Sequence, residues 1–339
     1  IGLVFNDPIL KAIGVPNDVF SEASTYLSIY FWSLIFVMIY NMGSGILRSV
    51  GDSKRPLYFL IFSSIINIVL DFLFVKNFGF GVAGAGYATL IAQAISAIMV
   101  MYVLMKTEDS YKVVLKDIKF DKEILLKIIK IGLPTGFQQS IVSLSNVIVQ
   151  SYINVYGASV IAGYSVTIKI DGFVNLPLQA FNMAITTFVG QNIGAKQYNR
   201  VKKGAYITTF LAMVTIGFFV VIMYFFGRDF IALFNQEKDV IDAGRLMQLT
   251  FLPFYIFLPI NQVINGVLRG AGRSAVPMYV MIFSFVFLRQ FYLFLVTKVT
   301  SDVVYVFLGW PTTWVVCSLI FIVYFFKVQW LPQEKGAEA

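Results

Sequence analysis

The sequence predicts an all-α polytopic membrane protein, and three observations lead to that fold class. Of the 339 residues, 58% are hydrophobic and 13% are charged, with a mean hydropathy of +0.78; soluble domains do not have this composition. The apolar residues form runs of about 20 residues or more, the length that a helix needs to cross a bilayer. One glycine-containing stretch occurs twice, which indicates a duplicated bundle.

Nine runs are long enough to span the membrane. Lipid cannot satisfy open backbone groups, so each run is predicted to be helical, and none shows the alternation of a membrane β-strand. Pro177, Pro253 and Pro259 fall inside runs and predict bending points. The runs cover residues 24–47, 57–75, 83–105, 131–155, 160–190, 204–226, 246–268, 275–297 and 303–326.

The repeated stretch covers residues 45–63 and 266–284, with 10 of 19 positions identical and no gap. Each copy ends one run, turns through glycine and basic residues, and enters the next run behind a proline. In the second half, the runs at 131–155, 160–190 and 204–226 come before the run that ends in the second copy. Their counterparts in the first half would lie upstream of Ile1. We therefore expect two parallel, pseudo-symmetric six-helix bundles, the first incomplete, with about nine spanning helices present.

Lysine and arginine are distributed unevenly across the membrane. When successive loops are assigned to opposite sides of the membrane, one side carries 18 of the 26 basic residues, the other carries six, and two lie inside runs. This bias marks the first side as cytoplasmic. This bias accounts for the net charge of +8 without a nucleic-acid partner. We expect a multi-pass protein of the plasma (inner) membrane with both full-length termini cytoplasmic. Its predicted parts are the remainder of an N-terminal lobe (1–105), a cytoplasmic connector on the membrane surface (106–130) and a C-terminal six-helix lobe (131–339).

The residue inventory argues against an enzyme. The chain has no histidine and a single cysteine, Cys317. The commonest general base and metal ligand is therefore missing, and a thiolate cluster cannot form. We expect no catalytic residue, no metal site and no cofactor apart from a coupling ion. An ion channel is a remote alternative. It would need a filter loop or a ring of charges, and neither is visible in the sequence.

Several short motifs follow one another through nearly the whole chain. They are Leu-Arg at 47–48 continuing to Pro56, Asn-Ile-Val-Leu-Asp at 67–71, Gly-Phe-Gly-Val-Ala-Gly-Ala-Gly-Tyr-Ala-Thr at 79–89, Gly-Leu-Pro at 132–134, Val-Gly-Gln-Asn-Ile-Gly-Ala at 189–195 and Leu-Arg-Gly at 268–270. In this order they resemble the multidrug and toxic compound extrusion (MATE) transporters. The resemblance implies a V-shaped pair of lobes that exports cationic or amphipathic compounds in exchange for H⁺ or Na⁺.

The expected partners are therefore a small organic cation and membrane lipid, for a protein that acts as a monomer. The nearest alternative is a flippase of lipid-linked oligosaccharides or peptidoglycan precursors, built on a related fold. Such a flippase would need a more cationic cavity, and the runs contain only Lys169 and Arg289 as cations.

The first candidate site lies on the run at 57–75. Asn67 and Asp71 are four residues apart and share a helix face, and a carboxylate in a spanning helix is functional by default. The resemblance implies that Asn67, Asp71 and Thr89 form the cation-coupling site of the first lobe. The alternative is that Asp71 is a solvated acid near the outer end, because Lys76 follows five residues later.

Polar residues also follow helical spacing in the second half. They line a substrate cavity or they bond helices together, and the sequence leaves both interpretations open. Asp171 is either a coupling group or the partner of Lys169 or Arg289 in an ion pair. The candidate cavity residues are Gln139, Ser143, Asn146, Asp171, Asn175, Gln179, Asn182, Asn261 and Asn265.

Overall fold

The computed structural model describes residues 2–12 and 15–331, and these residues form helices and contain no β-strand. Two π-helical segments, Phe72–Asn77 and Phe283–Leu288, follow the third and the tenth α-helix. The α-helices of the described chain are α1 (Asn6–Ala12), α2 (Phe20–Ser49), α3 (Lys54–Asp71), α4 (Gly81–Lys106), α5 (Lys122–Ile153), α6 (Ala158–Gly194), α7 (Tyr198–Ala232), α8 (Lys238–Phe251), α9 (Phe257–Gly270), α10 (Ala275–Ile282), α11 (Arg289–Val299), α12 (Val303–Phe307) and α13 (Gly309–Lys327).

The helices are long and apolar enough to make this a multi-pass membrane protein. Six helical segments of the described chain can cross a bilayer by length and composition, or seven if α8 and α9 form one bent span. The two long helices outside this group are α5 and α6, which carry the polar stripes noted in the sequence. The predicted count of nine spans therefore stays a prediction.

The seventh predicted run contains a sharp bend. Helices α8 and α9 are inclined by 59° at a short break, and Pro253 lies in the 3₁₀ turn Leu252–Phe254 at that break. Pro177 lies inside α6 without ending it, and Pro259 lies in the first turn of α9, where the missing amide proton costs no helical hydrogen bond. Of the three predicted bending points, Pro253 is the one that coincides with a break.

The chain divides into two compact units, residues 1–119 and 120–339, here called unit 1 and unit 2. In unit 1, α4 packs against both α2 and α3, around a core that includes Tyr40, Leu47 and Val100. Irregular chain and one 3₁₀ turn cover residues 107–121. Residues 122–130 of the predicted connector are the first turns of α5, and the assignment of 106–130 to the membrane surface stays a prediction.

Helix α6 lies at the centre of unit 2, where it packs against α7, α8 and α9. Small residues permit this close approach. A Cβ atom on Gly163 would lie 2.6 Å from the Gly244 nitrogen, and one on Gly270 would lie 2.5 Å from the Thr186 carbonyl oxygen. Any larger side chain at these two glycines would push α6 away from α8 or α9.

The duplicated stretch folds in the same way in both units. At the end of α2, the Gly51 amide donates to the Arg48 carbonyl (3.0 Å) and the Asp52 amide donates to the Leu47 carbonyl (2.9 Å). At the end of α9, Gly272 and Arg273 make the matching bonds to Arg269 and Leu268 at 2.9 and 2.8 Å. Both turns are Schellman caps. Gly51 and Gly272 have φ of 89° and 75°, in the left-handed region that glycine enters without steric cost.

Candidate functional site

The first candidate site lies where α3 changes into a π-helical turn. Asn67 and Asp71 occupy one face of α3, one turn apart, and Asp71 is the last α-helical residue before Phe72–Asn77. Thr89 lies on α4, which packs against α3 in the same unit. All three side chains are half-buried. The π-helical segment ends this helix, and residues 78–80 after it are irregular.

Two groups at this site have no partner among the described residues. The Nδ2 atom of Asn67 is buried and makes no hydrogen bond, and the Asp71 carboxylate has no hydrogen-bond or ion-pair partner. Thr89 Oγ1 donates to the Ala85 carbonyl at 3.0 Å, which leaves its lone pairs available. Lys76 does not neutralise Asp71, because its Nζ lies over the Phe72 ring, 4.7 Å from the centroid.

The three side chains offer oxygen ligands, and the carboxylate among them, that of Asp71, has no cationic partner among the described residues. A carboxylate, an amide oxygen and a hydroxyl oxygen are ligands for a hard cation, and a carboxylate is also a group to which a proton binds. Both chemistries need the acid to be free of a permanent cationic partner. Unit 1 meets that requirement at Asp71.

Asp171 in unit 2 is held differently. Its Oδ1 accepts a hydrogen bond from Tyr255 Oη (2.6 Å), and its Oδ2 accepts one from Asn175 Nδ2 (2.9 Å). Tyr255 is fully buried and stacks on Trp314, with ring centroids 5.5 Å apart. The carboxylate therefore has a neutral donor on each oxygen. Neither of the predicted ion pairs of Asp171, with Lys169 or with Arg289, is formed.

Arg289 is buried, with 1% of its surface exposed, and it has no carboxylate partner among the described residues. Its Nη1 donates to Asn146 Oδ1 (2.9 Å) and its Nη2 donates to Thr313 Oγ1 (3.0 Å), while its Nε has no partner. The guanidinium lies 5.0 and 5.4 Å from the ring centroids of Phe285 and Trp310. Neutral oxygens and aromatic faces thus stabilise this charge in place of an acid.

Lys169 lies in a different environment from Arg289, although both residues fall inside predicted spanning runs. It is exposed, and its Nζ lies 5.9 Å from the centroid of the Phe234 ring. The two intramembrane cations of the predicted runs are therefore one surface lysine and one fully buried arginine.

The polar stripe of α5 separates into an exposed and a buried row. Gln139, Ser143 and Asn146 are exposed, as is Gln179 on α6, and a cavity role for these positions stays a prediction. The neighbouring residues Gln138 and Ser145 are buried instead. Gln138 Nε2 donates to Met281 Sδ (2.8 Å), and Ser145 Oγ donates to the Phe285 carbonyl (2.7 Å).

Three of the predicted cavity residues are buried and connect helices. Asn182 Nδ2 donates to the Gln262 carbonyl (2.6 Å), Asn261 Nδ2 donates to the Trp314 carbonyl (3.2 Å), and Asn265 Nδ2 donates to Met281 Sδ (3.1 Å). These contacts correspond to the alternative in which polar residues bond helices together. In this conformation the three residues do not face open space, and a cavity role for them stays a prediction.

Several partners of these residues could not be predicted from the sequence. Tyr255 lies 84 positions from Asp171, and Asn146 lies 143 positions from Arg289. Helical spacing identifies residues that share a face, but it does not identify the neighbouring helix. The runs contain many aromatic residues, and the sequence does not indicate which of them contacts Asp171.

Comparison with known proteins places this geometry in a family. The family model described as MatE matches residues 1–73 and 134–294. The probable multidrug resistance protein YoeA of Bacillus subtilis is 30% identical over 98% of this chain and 74% of its own length. The probable multidrug resistance protein YpnP of the same organism is 31% identical over 85% of this chain and 64% of its own length.

More distant relatives and solved structures agree in fold. The multidrug export protein MepA of Staphylococcus aureus is 23% identical over 83% of this chain and 62% of its own length. A MOP superfamily transporter from Pyrococcus furiosus, described with a binding pocket of reverse polarity, superposes with a TM-score of 0.89 at 22% identity over 95% of this chain and 73% of that one. A MATE protein in the bent conformation superposes with a TM-score of 0.87 at 23% identity, over 95% and 72% of the two chains.

The chain thus spans between about three fifths and three quarters of the length of these relatives. The family match covers more than half of the chain, and one relative is 30% identical along nearly all of it. The chain belongs to the multidrug and toxic compound extrusion (MATE) family of membrane transporters.

Proposed function

We propose that the protein exports cationic or amphipathic small molecules in exchange for H⁺ or Na⁺, with Asp71 as the coupling group. The coupling site comprises Asn67, Asp71 and Thr89. Ion binding there favours one conformation of the protein, the substrate binds the competing conformation, and the ion gradient drives release on the far side. Such coupling requires the ion and the substrate to have different affinities for the two states. The proposed location is the plasma membrane, with both termini of the full-length protein cytoplasmic.

The observation that carries this proposal is the pair of unsatisfied groups on α3. A carboxylate inside a spanning helix is costly in lipid and is normally paired. Asp71 is unpaired among the described residues, and the amide of Asn67 one turn away is unpaired as well. A site that must load and unload an ion in each cycle needs such groups, because a permanent salt bridge would compete with the ion.

The test is transport by the full-length protein in proteoliposomes. Efflux of a fluorescent organic cation is followed under an imposed proton gradient and, separately, under a sodium gradient. We expect one gradient to drive efflux, and we expect Asp71→Asn to abolish gradient-driven movement while the protein remains folded. Asn67→Ala should weaken the dependence on the same ion, because it removes one neutral ligand.

The matched control is Asp117→Asn, which removes an exposed acid from the connector of the same unit. This variant should transport like wild type. Gradient-driven efflux that persists in Asp71→Asn would move the coupling site elsewhere. Absence of efflux under either gradient would contradict the exporter itself.

A lipid-precursor flippase is the second candidate, and buried Arg289 favours it. A guanidinium without an acidic partner can bind phosphate oxygens bidentately. Arg289 is buried with its two terminal nitrogens bonded to Asn146 and Thr313, so a lipid diphosphate would have to replace these acceptors in another conformation. In vesicles that contain a fluorescent lipid diphosphate, a flippase would transfer the label between leaflets, and Arg289→Gln would slow the transfer. Label that stays in its original leaflet with wild-type protein would exclude this function.

A further inference from the structure

A groove on unit 2 lies between α7, α9 and α13. Its volume is about 280 Å³, slightly below the roughly 300 Å³ at which pockets for drug-sized ligands begin. Among the described lining residues, the hydroxyls of Thr209 and Tyr206 are the polar side-chain groups. The lining residues are Ala205, Tyr206, Thr209, Phe210 and Met213 of α7, Ile260, Val263 and Ile264 of α9, and Ile322, Phe325 and Phe326 of α13.

The groove begins at the basic end of α7 and extends into the apolar part of the unit. Tyr206 at its start contacts Phe325 near the end of α13, with ring centroids 6.1 Å apart. The α7 lining from Ala205 to Met213 rises about 12 Å at 1.5 Å per residue. That length fits within one leaflet, about 15 Å of the 30 Å hydrocarbon core. Aromatic residues such as Trp330, which packs on Phe325 at 5.0 Å, are typical of the interface at this depth.

Exposed lysines occupy the ends of α7 and α13 from which the groove begins. Lys202 is exposed and precedes Tyr206 by four residues, so the two share a helix face. Lys203 is exposed beside it, and Lys327 is the exposed last residue of α13. The sequence has no acidic residue between Asp171 and Asp229, so no carboxylate of α7's first turns offsets this charge.

We infer that this groove binds an anionic phospholipid of the membrane. One acyl chain lies against the apolar lining, and the phosphate group lies at Lys202, Lys203 and Lys327. The size and apolar lining select a hydrocarbon chain, and the lysines select a negatively charged head group. The basic end is the side that the lysine and arginine distribution marks as cytoplasmic, so the lipid belongs to the cytoplasmic leaflet.

The test uses the full-length protein, delipidated in mild detergent. Phosphatidylglycerol and phosphatidylcholine with identical acyl chains are titrated separately, and bound lipid is counted by native mass spectrometry alongside thermal unfolding. We expect wild type to bind phosphatidylglycerol preferentially and to unfold at a higher temperature with it. The double variant Lys202→Gln, Lys203→Gln should bind phosphatidylglycerol about 30-fold more weakly, since each lysine near the membrane surface contributes about a factor of five.

Two further variants separate the groove from the surface charge. Thr209→Phe places a larger side chain in the groove and should reduce binding of phosphatidylglycerol. Val214→Phe makes a comparable change at an exposed position of α7 outside the groove and should leave binding unchanged. Equal binding of the two lipids by wild type, or full binding by the lysine variant, would overturn the proposal. Displacement of the lipid by the fluorescent transport substrate would assign the groove to substrate instead and would also overturn it.

Discussion

Asp71 in unit 1 and Asp171 in unit 2 are both half-buried carboxylates on long helices, yet only Asp171 has hydrogen-bond donors on its two oxygens. The donors, Tyr255 and Asn175, are neutral, so they hold the acid in place without cancelling its charge. Asp71 has no such support among the described residues. These partners favour a structural role for Asp171 and agree with the ion exchange proposed for Asp71.

Removing the charge of each acid in turn should affect transport at one residue and stability at the other. Asp71→Asn should reduce gradient-driven efflux by at least about tenfold, equivalent to a barrier about 1.4 kcal/mol or more higher for the coupled step, with unchanged thermal stability. Asp171→Asn should retain the dependence on the gradient but lower the unfolding temperature, because an amide group facing Asn175 Nδ2 replaces an acceptor with a donor. The measurements are efflux from proteoliposomes and thermal unfolding of the same preparations. The reverse pattern, with coupling lost in Asp171→Asn alone, would assign the ion site to unit 2.

The next prediction concerns the glycines of the duplicated stretch, Gly45 and Gly266. A Cβ atom on Gly266 would lie 2.6 Å from Ile185 Cγ2 and 2.7 Å from the Asn182 carbonyl oxygen, whereas one on Gly45 would meet no atom within 4 Å. Gly266→Ala should therefore destabilise the protein by about 1–3 kcal/mol through overpacking. Gly45→Ala should be neutral or stabilising by up to about 1 kcal/mol, the gain in helix propensity.

Thermal unfolding of the two alanine variants in one detergent checks this pair. Gly266 is then needed for helix packing in unit 2, whereas Gly45 has no close neighbour among the described residues. Equal destabilisation by both substitutions would show that Gly45 also faces a packed helix in the full-length protein.

Much of the fold follows from the sequence, because lipid imposes one solution on each apolar run. Seven of the nine predicted runs coincide with continuous helix, and the runs at 246–268 and 303–326 are each divided by a short break. Both copies of the duplicated stretch form the same cap, since glycine in the left-handed region is needed at one position of each. The side-chain partners could not be predicted in this way. Asp171 was a candidate for an ion pair with Arg289, but Tyr255 and Asn146 are their respective partners. Helix spacing defines a face, whereas these contacts depend on which helices pack together.

A smaller effect tests the support of Asp171 directly. Tyr255→Phe removes the donor to Asp171 Oδ1 and keeps the stacked ring on Trp314. The loss should be about 1–2 kcal/mol, because the carboxylate loses a hydrogen bond while the packing remains. Thermal unfolding measures it, with Tyr305→Phe as the control at an exposed tyrosine whose backbone, and not its hydroxyl, makes the observed hydrogen bond. If Tyr255→Phe were as stable as wild type, the 2.6 Å contact would not stabilise the protein.

The smallest difference is expected where the two units are alike. Gly51→Ala and Gly272→Ala each place a side chain in the left-handed region, which costs about 1–2 kcal/mol, and each weakens the same pair of capping hydrogen bonds. The two losses should be equal within about 0.5 kcal/mol, and hydrogen exchange should accelerate at the Asp52 amide in one variant and at the Arg273 amide in the other. A much larger loss of stability at one glycine would mean that the two caps contribute differently to the stability of the protein. The duplication would then have preserved the backbone of the turn but not its contribution to stability, as it preserved Gly45 and Gly266 without preserving their surroundings.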